Sequence, residues 1–238
     1  MRGVSVLAFL SLMLGLAGCA PAGSSAYVSF NIPPDSSCTY TPTATGGKFL
    51  PEGEFDITGA ATGGNCNQGY RVNLLVNSEL RANKDVTLGR TEPNVLQIDS
   101  AQVRLMSQDK RTIAFDRVTP HLPNPFLTTA NNSLVPTAAG DPSIGIASLM
   151  AIPKPYAKML DKFKDGEILA EIQIFGTTTG DESIEFKPFV YPIQIVENKL
   201  YVCLSSLVGK NLTRTDIYGK DCPDNAGADG RICIDDGC

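Results

Sequence analysis

The strongest constraint on this chain is a run of strict two-residue alternation towards its end. Ile168, Ala170, Ile172 and Ile174 occupy every second position, and beyond Gly176-Thr177-Thr178-Thr179-Gly180-Asp181 the apolar residues Ile184 and Phe186 keep the same spacing. Side chains of an extended strand alternate between faces, so this period predicts a hairpin with one face in a core. Pro188 breaks the phase, and the return strand resumes with Phe189, Tyr191, Ile193 and Ile195. A proline at that point belongs at an edge or a bulge. A half-buried hairpin needs a second apolar layer to cover it.

Further alternating segments can supply that layer. In Tyr27–Ile32, Val28, Phe30 and Ile32 oppose Ser29 and Asn31, until Pro33-Pro34 ends the pattern. Tyr70, Val72, Leu74 and Val76 share a face opposite Arg71 and Asn73. Val95–Met106 begins with Leu96 and Ile98, then moves to Ala101, Val103 and Leu105, a change of phase that predicts a bulge near Asp99-Ser100. Ile113–Val118 reads as a shorter strand, Ile144, Ile146, Ser148, Met150 and Ile152 as alternate positions of another, and Leu200–Leu204 as the last. Thr119–Pro136 is expected to be a loop, because Pro120, Pro123, Pro125 and Pro136 cannot donate to a ladder. The Gly/Thr/Pro-rich stretch from Cys38 to Cys66 is expected to be weakly structured, with one alternating piece that sets Phe55 and Ile57 against Glu54 and Asp56.

One helix is expected. Pro153-Lys154-Pro155 leads into Tyr156, Met159, Leu160 and Phe163 at i, i+3, i+4, i+7, with Lys158, Asp161, Lys162 and Lys164 opposite. Pro155 suits the first turn and Gly166 the cap after the last. With that stripe buried, Phe163→Ala would cost about 3 kcal/mol or more. Many strands and one short helix predict an all-β fold, an antiparallel β-sandwich, rather than alternating β and α units. The order strand, helix ending in Asp165-Gly166, strand, loop, strand over residues 70–196 resembles the last strands of bacterial immunoglobulin-like domains. That resemblance implies two packed sheets. The inter-sheet cysteine pair and core tryptophan of antibody domains are missing, and the chain contains no tryptophan.

The amino terminus has the anatomy of a secretory signal: Arg2, an apolar core Val4–Leu16, then small residues. The core is too short to cross a hydrocarbon layer, which takes about 20 helical residues. Leu16-Ala17-Gly18-Cys19 resembles the lipobox of bacterial lipoprotein precursors. The resemblance implies cleavage before Cys19 and diacylglycerol on its thiol, with fatty acyl chains such as palmitate giving stable anchoring. Ala20, where inner-membrane lipoproteins often carry aspartate, implies the outer membrane. Removal of residues 1–18 from the 238-residue chain leaves 220 residues and moves the formal charge from −5 to −6. An acidic chain without basic clusters is a poor partner for nucleic acid, so attachment to the membrane would rest on the lipid. The expected organisation is a signal peptide (1–18), a lipidated tether (19–26), an N-terminal strand and Gly/Thr-rich lobe (27–69), a β-sandwich (70–205) and a Cys/Asp-rich tail (206–238).

Export would place the cysteines in an oxidising compartment, where disulfides form. Beyond Cys19 an even six remain: Cys38, Cys66, Cys203, Cys222, Cys233 and Cys238. No two have zinc-knuckle spacing and the only histidine, His121, is remote, so three disulfides are expected and no metal or other cofactor. Proximity pairs Cys38 with Cys66 and leaves the last four to pair among themselves, Cys203 joining Cys222 or Cys233. In the tail, Asn225, Asp229, Gly230 and Asp236 fit four positions of a calcium loop, but Gly227 stands where a ligand belongs.

No catalytic motif emerges. Gly47-Lys48, Gly209-Lys210 and Gly219-Lys220 lack the Ser or Thr of a phosphate loop, and Gly140-Asp141-Pro142-Ser143-Ile144-Gly145 is one residue too long for a nucleophile elbow. The acid pairs Glu52 with Glu54 and Asp181 with Glu182 would serve a glycosidase only if folding set them across a cleft. The expectation is a non-enzymatic, lipid-anchored envelope protein that acts as a protein-interaction or structural module. A carbohydrate or small-ligand binder using the sandwich-end loops, chiefly Thr119–Pro136, is the alternative, and a hydrolase the third.

Overall fold

A computed structural model describes residues 26–35, 39–43, 48–58, 69–80, 95–115, 122–135, 142–203 and 233–235. The fold is all-β. Its strands are β1 (Ala26–Asn31), β2 (Gly53–Asp56), β3 (Gly69–Ser78), β4 (Leu96–Ser107), β5 (Phe126–Leu134), β6 (Ser143–Pro153), β7 (Gly166–Thr178), β8 (Ser183–Glu185), β9 (Phe189–Val196), β10 (Tyr201–Cys203) and β11 (Cys233–Asp235). The first nine form one sheet in the order β1-β3-β6-β5-β4-β7-β9-β2, with β8 beside β7. Neighbours are antiparallel except β2, which runs parallel to β9, so the sheet is mixed. The β5–β6 seam has the register pair Asn131↔Ser148 and a bond donated by Asn132 Nδ2 to the Ile146 carbonyl.

The sheet curls, and its inner face holds one apolar cluster. β3 contributes Tyr70, Val72, Leu74 and Val76, β4 contributes Leu96, Ile98, Ala101, Val103 and Leu105, and β7 contributes Ile168, Ala170, Ile172 and Ile174. The two ends of the strand order meet across this core. Asn31 Nδ2 on β1 donates to the Tyr191 hydroxyl on β9 at 2.9 Å, and the Phe55 ring on β2 lies edge-on to Tyr70 on β3. Gly53 tolerates no side chain there, since a Cβ would stand 2.1 Å from the Tyr70 hydroxyl oxygen.

The β7–β8 hairpin, the unpaired link through Pro188, and the buried Tyr191, Ile193 and Ile195 follow the alternation in the sequence. The bulge in β4 falls between Ile98 and Ser100, in register with both β5 and β7. Other expectations need correction. The stretch read as a loop, Thr119–Pro136, contains the nine-residue strand β5. Its prolines flank the strand rather than interrupt it, and its core contacts, Phe126, Ala130 and Leu134, recur every four residues among polar ones, which hides the period of two. Conversely, Ile113–Phe115 lie outside any strand, although Ile113 and Phe115 are buried; residues 116–118 lie outside the described residues.

Two faces are also inverted. On β6 the core side is Ser143, Gly145, Ala147, Leu149 and Ala151, while Ile144, Ile146, Ser148 and Met150 are half-buried on the outer side. At Gly145 the inner face has no room for a side chain because Leu134 and Asn132 crowd it; a Cβ there would stand 2.5 Å from Leu134 Cδ2. On β1 a bulge between Val28 and Phe30 sets Val28 opposite Val76 but Phe30 opposite Leu75, so Phe30 leaves the face of Val28 and Asn31 turns inward. Asp56, read as part of a polar outer face, is buried.

The expected helix is a single turn, α1 (Lys154–Ala157), followed by a 3-10 turn at Asp161–Phe163. The reversal before β7 is made by Asp165 at φ 59°, not by Gly166, which is already the first residue of the strand. With the helix broken, the buried positions are Tyr156, Ala157 and Leu160, whereas Met159 and Phe163 are only partly covered. Leu160→Ala is therefore expected to lower stability by about 3 kcal/mol and Phe163→Ala by less than about 2, read as shifts in urea midpoint. Equal losses would show that the stripe packs as one continuous helix after all.

Candidate functional site

Of the residues singled out for lipid or disulfide chemistry, Cys19, Cys38, Cys66, Cys222 and Cys238 lie outside the described residues. So do His121 and the calcium-pattern residues Asn225, Gly227, Asp229, Gly230 and Asp236. The structure does bring Cys203 and Cys233 onto one small sheet, β10 parallel to β11, in the register Tyr201↔Cys233, Val202↔Ile234, Cys203↔Asp235. The tail thus returns to the strand that follows β9. Cys203 is two positions along from the residue opposite Cys233. With strands about 4.8 Å apart and a rise of about 3.3 Å per residue, their Cα atoms are about 8 Å apart, past the roughly 7 Å that a disulfide spans. This register argues against a direct Cys203–Cys233 link. Peptide mapping without reduction is expected to show no free thiol and no Cys203–Cys233 peptide; a Cys203–Cys233 link would contradict the register.

The acid pairs do not converge. Glu54 lies opposite Gln194, which lies opposite Glu167 near the start of β7, whereas Asp181 and Glu182 form the turn after its end. The intervening strand separates the two pairs by about 35 Å. Ser143, at the start of β6, is 2% exposed, so its hydroxyl is closed to a substrate.

Sequence reasoning missed a buried carboxylate with a dense set of partners. Asp56 Oδ1 accepts from the Thr58 amide at 2.9 Å and from its hydroxyl at 2.5 Å, and Oδ2 accepts from the amides of Lys199 and Leu200 at 2.8 and 2.6 Å. These donors hold the buried carboxylate, which pins the end of β2 to the turn that leads into β10. The Asp56-Ile57-Thr58 spacing, an Asx-type turn, was the available signal. Asp56→Ala would strand buried amides and is expected to cost about 3 kcal/mol, measured by urea unfolding; a change within error would mean that water replaces the carboxylate.

Two clefts among the described residues are binding candidates. One, of about 350 Å³, lies between Ile32-Pro33-Pro34-Asp35 and Thr39, Thr41, Thr43 and Lys48. Asp35 frames it by accepting from the Thr39 amide through Oδ1 at 3.0 Å. The other, of about 520 Å³, runs between Thr112–Phe115 and Leu122–Asn124. Asn124 holds its walls in place, because its amide group donates to the carbonyls of Leu105 and Ile113 and accepts from the Leu105 N–H, all at 2.8–2.9 Å. Below it Tyr156 packs against Phe115 and Phe126 and donates to the Pro123 carbonyl at 2.6 Å. The polar groups that shape the groove are thus spent on the fold, and the groove offers mainly carbon. It suits contact with an apolar side chain better than proton transfer.

Burial pushes the Tyr156 phenol above its ordinary value. An unfolded tyrosine ionises near pH 10, so the contribution of Tyr156 is complete below that pH and is lost as pH rises through the higher folded value. Tyr156→Phe is expected to lose about 1 kcal/mol at neutral pH and to show a shallower decline above pH 10, in urea titrations at several pH values. An unchanged decline would place the phenol in water. No family model and no curated protein matches this chain.

Proposed function

We propose that this protein is a lipid-anchored component of a bacterial cell envelope, anchored at Cys19, which follows the apolar run Val4–Leu16 and Ala17-Gly18, and that its β domain is a non-enzymatic protein-interaction module.

 The observation that carries this reading is the coincidence of a positive start, a short apolar core and small residues on a cysteine. With two or more acyl chains on Cys19, attachment is stable without any transmembrane helix.

The strand order supports the finer reading of the fold as an immunoglobulin-like sandwich. β1-β3-β6 corresponds to one layer and β4-β7-β9 to the other, in the chain order of the A-B-E and C-F-G strands of that architecture. β5 takes the place of the strand that joins either layer at the open side. Domains of this kind present their end loops for recognition, and the mainly apolar groove at Thr112–Phe115 and Leu122–Asn124 lies at such an end. The hydroxyl-lined cleft of Thr39, Thr41 and Thr43 favours a second reading, a small polar ligand such as a carbohydrate.

Cys19→Ser is expected to release the chain from membranes or to block its processing, followed by fractionation and intact mass. A membrane form without acyl chains on Cys19 would end the lipoprotein reading. Cross-linking of the anchored protein, followed by affinity capture, separates the two binding modes, since only the first yields a stoichiometric protein partner.

A further inference from the structure

The chain enters the sheet at Ala26, seven residues after Cys19, and the register fixes which end of the domain that is. Ala26 lies opposite Ser78, and Ser78 opposite Ser143. Leu134, which crowds Gly145, brings the ends of β5, β7 and the start of β4 to the same pole, because Leu96 lies opposite both Leu134 and Thr178. The opposite pole carries α1, the 3-10 turn and the groove at Thr112–Phe115 and Leu122–Asn124. β7 alone, at 13 residues, sets the poles about 40 Å apart.

We infer that the Ala26–Ser78–Ser143 pole faces the lipid surface and that the groove pole is presented away from it. This rests on the lipid-anchor reading of Cys19. Seven residues extend at most about 25 Å, well short of the distance between the poles. The tether therefore holds the near pole at the bilayer and leaves the far one free. The near pole has no lipid-binding charge of its own among the described residues: Glu79, Asp181 and Glu182 are exposed there, with no lysine or arginine. The competing force acts at the other end, where Lys154, Lys158 and Lys162 cluster around α1. Attraction of those lysines to anionic lipid fades over roughly 10 Å at physiological salt, so it does not reach a pole held about 40 Å out.

The absence of tryptophan makes the arrangement directly readable. Val135→Trp and Glu182→Trp place a single fluorophore at exposed sites of the near pole, and Lys158→Trp and Ala114→Trp at exposed sites of the far pole. Each full-length acylated protein is reconstituted into phosphatidylcholine vesicles that carry a nitroxide-headgroup lipid. Near-pole emission is expected to be quenched several-fold more than far-pole emission, and two sites per pole keep the comparison intact if one variant fails to fold. Equal or reversed quenching in a protein that floats with the vesicles and carries acyl mass on Cys19 would overturn the orientation while leaving the anchor standing. A protein with no acyl mass that fails to float would remove the anchor, and the orientation with it.

Discussion

A sheet that buries only one face must find something to cover it, and here the covering is the sheet itself. The inner residues of β3 and β6 have no helix layer over them; they meet those of β4, β7 and β9 because the sheet curls until β1 and β2 approach each other. The closing contacts among the described residues include the Asn31–Tyr191 hydrogen bond, the Asn31–Leu50 bridge, the Phe55–Tyr70 ring pair and the close approach of Gly53 to Tyr70. These contacts depend on the bulge in β1 and on the position of β2, so the placement of those two short strands bears directly on how the apolar core is sealed.

Side chains take over where the backbone ladder runs out. Asn124 offers Leu105 the donor and acceptor that a neighbouring strand would, and it satisfies Ile113 as well. Asp56 does the same for the amides of Lys199 and Leu200. Leaving such buried groups unpaired would cost more than either hydrogen bond contributes when made. That asymmetry explains why a carboxylate and an amide sit in places where a pattern of apolar and polar residues gives no hint of them.

The parts of the fold legible in the sequence are those in which one face is strongly apolar. β7, β9, the inner face of β3 and the bulge of β4 belong to this class, because Ile, Val and Leu mark the core side at every second residue. Legibility fails where small residues face the core. β6 turns Gly145, Ala147 and Ala151 inward and Ile144 and Ile146 outward, so the larger residues point to the wrong side, and β5 shows only every second core position as apolar. The helical stripe of Tyr156, Met159, Leu160 and Phe163 misled for another reason: spacing cannot reveal that the chain changes to a 3-10 turn within it. As for the candidate groove, its walls come from segments on either side of residues 116–121, supported from below by a tyrosine 33 residues beyond Pro123, a meeting that tertiary structure alone creates.

The parallel pairing of β2 with β9 also sets an order of events during synthesis. Thr58 and Asn198, which hydrogen-bond beside that pairing, are 140 residues apart in sequence. β2 emerges early and has no partner until most of the chain has followed, whereas β7, β8 and β9 can pair as soon as each appears. Closure of so long a loop is slow, and an unpaired strand edge is a site for wrong association in the interval. The shortness of β2, four residues with a glycine at its start, limits how much edge is exposed while it waits.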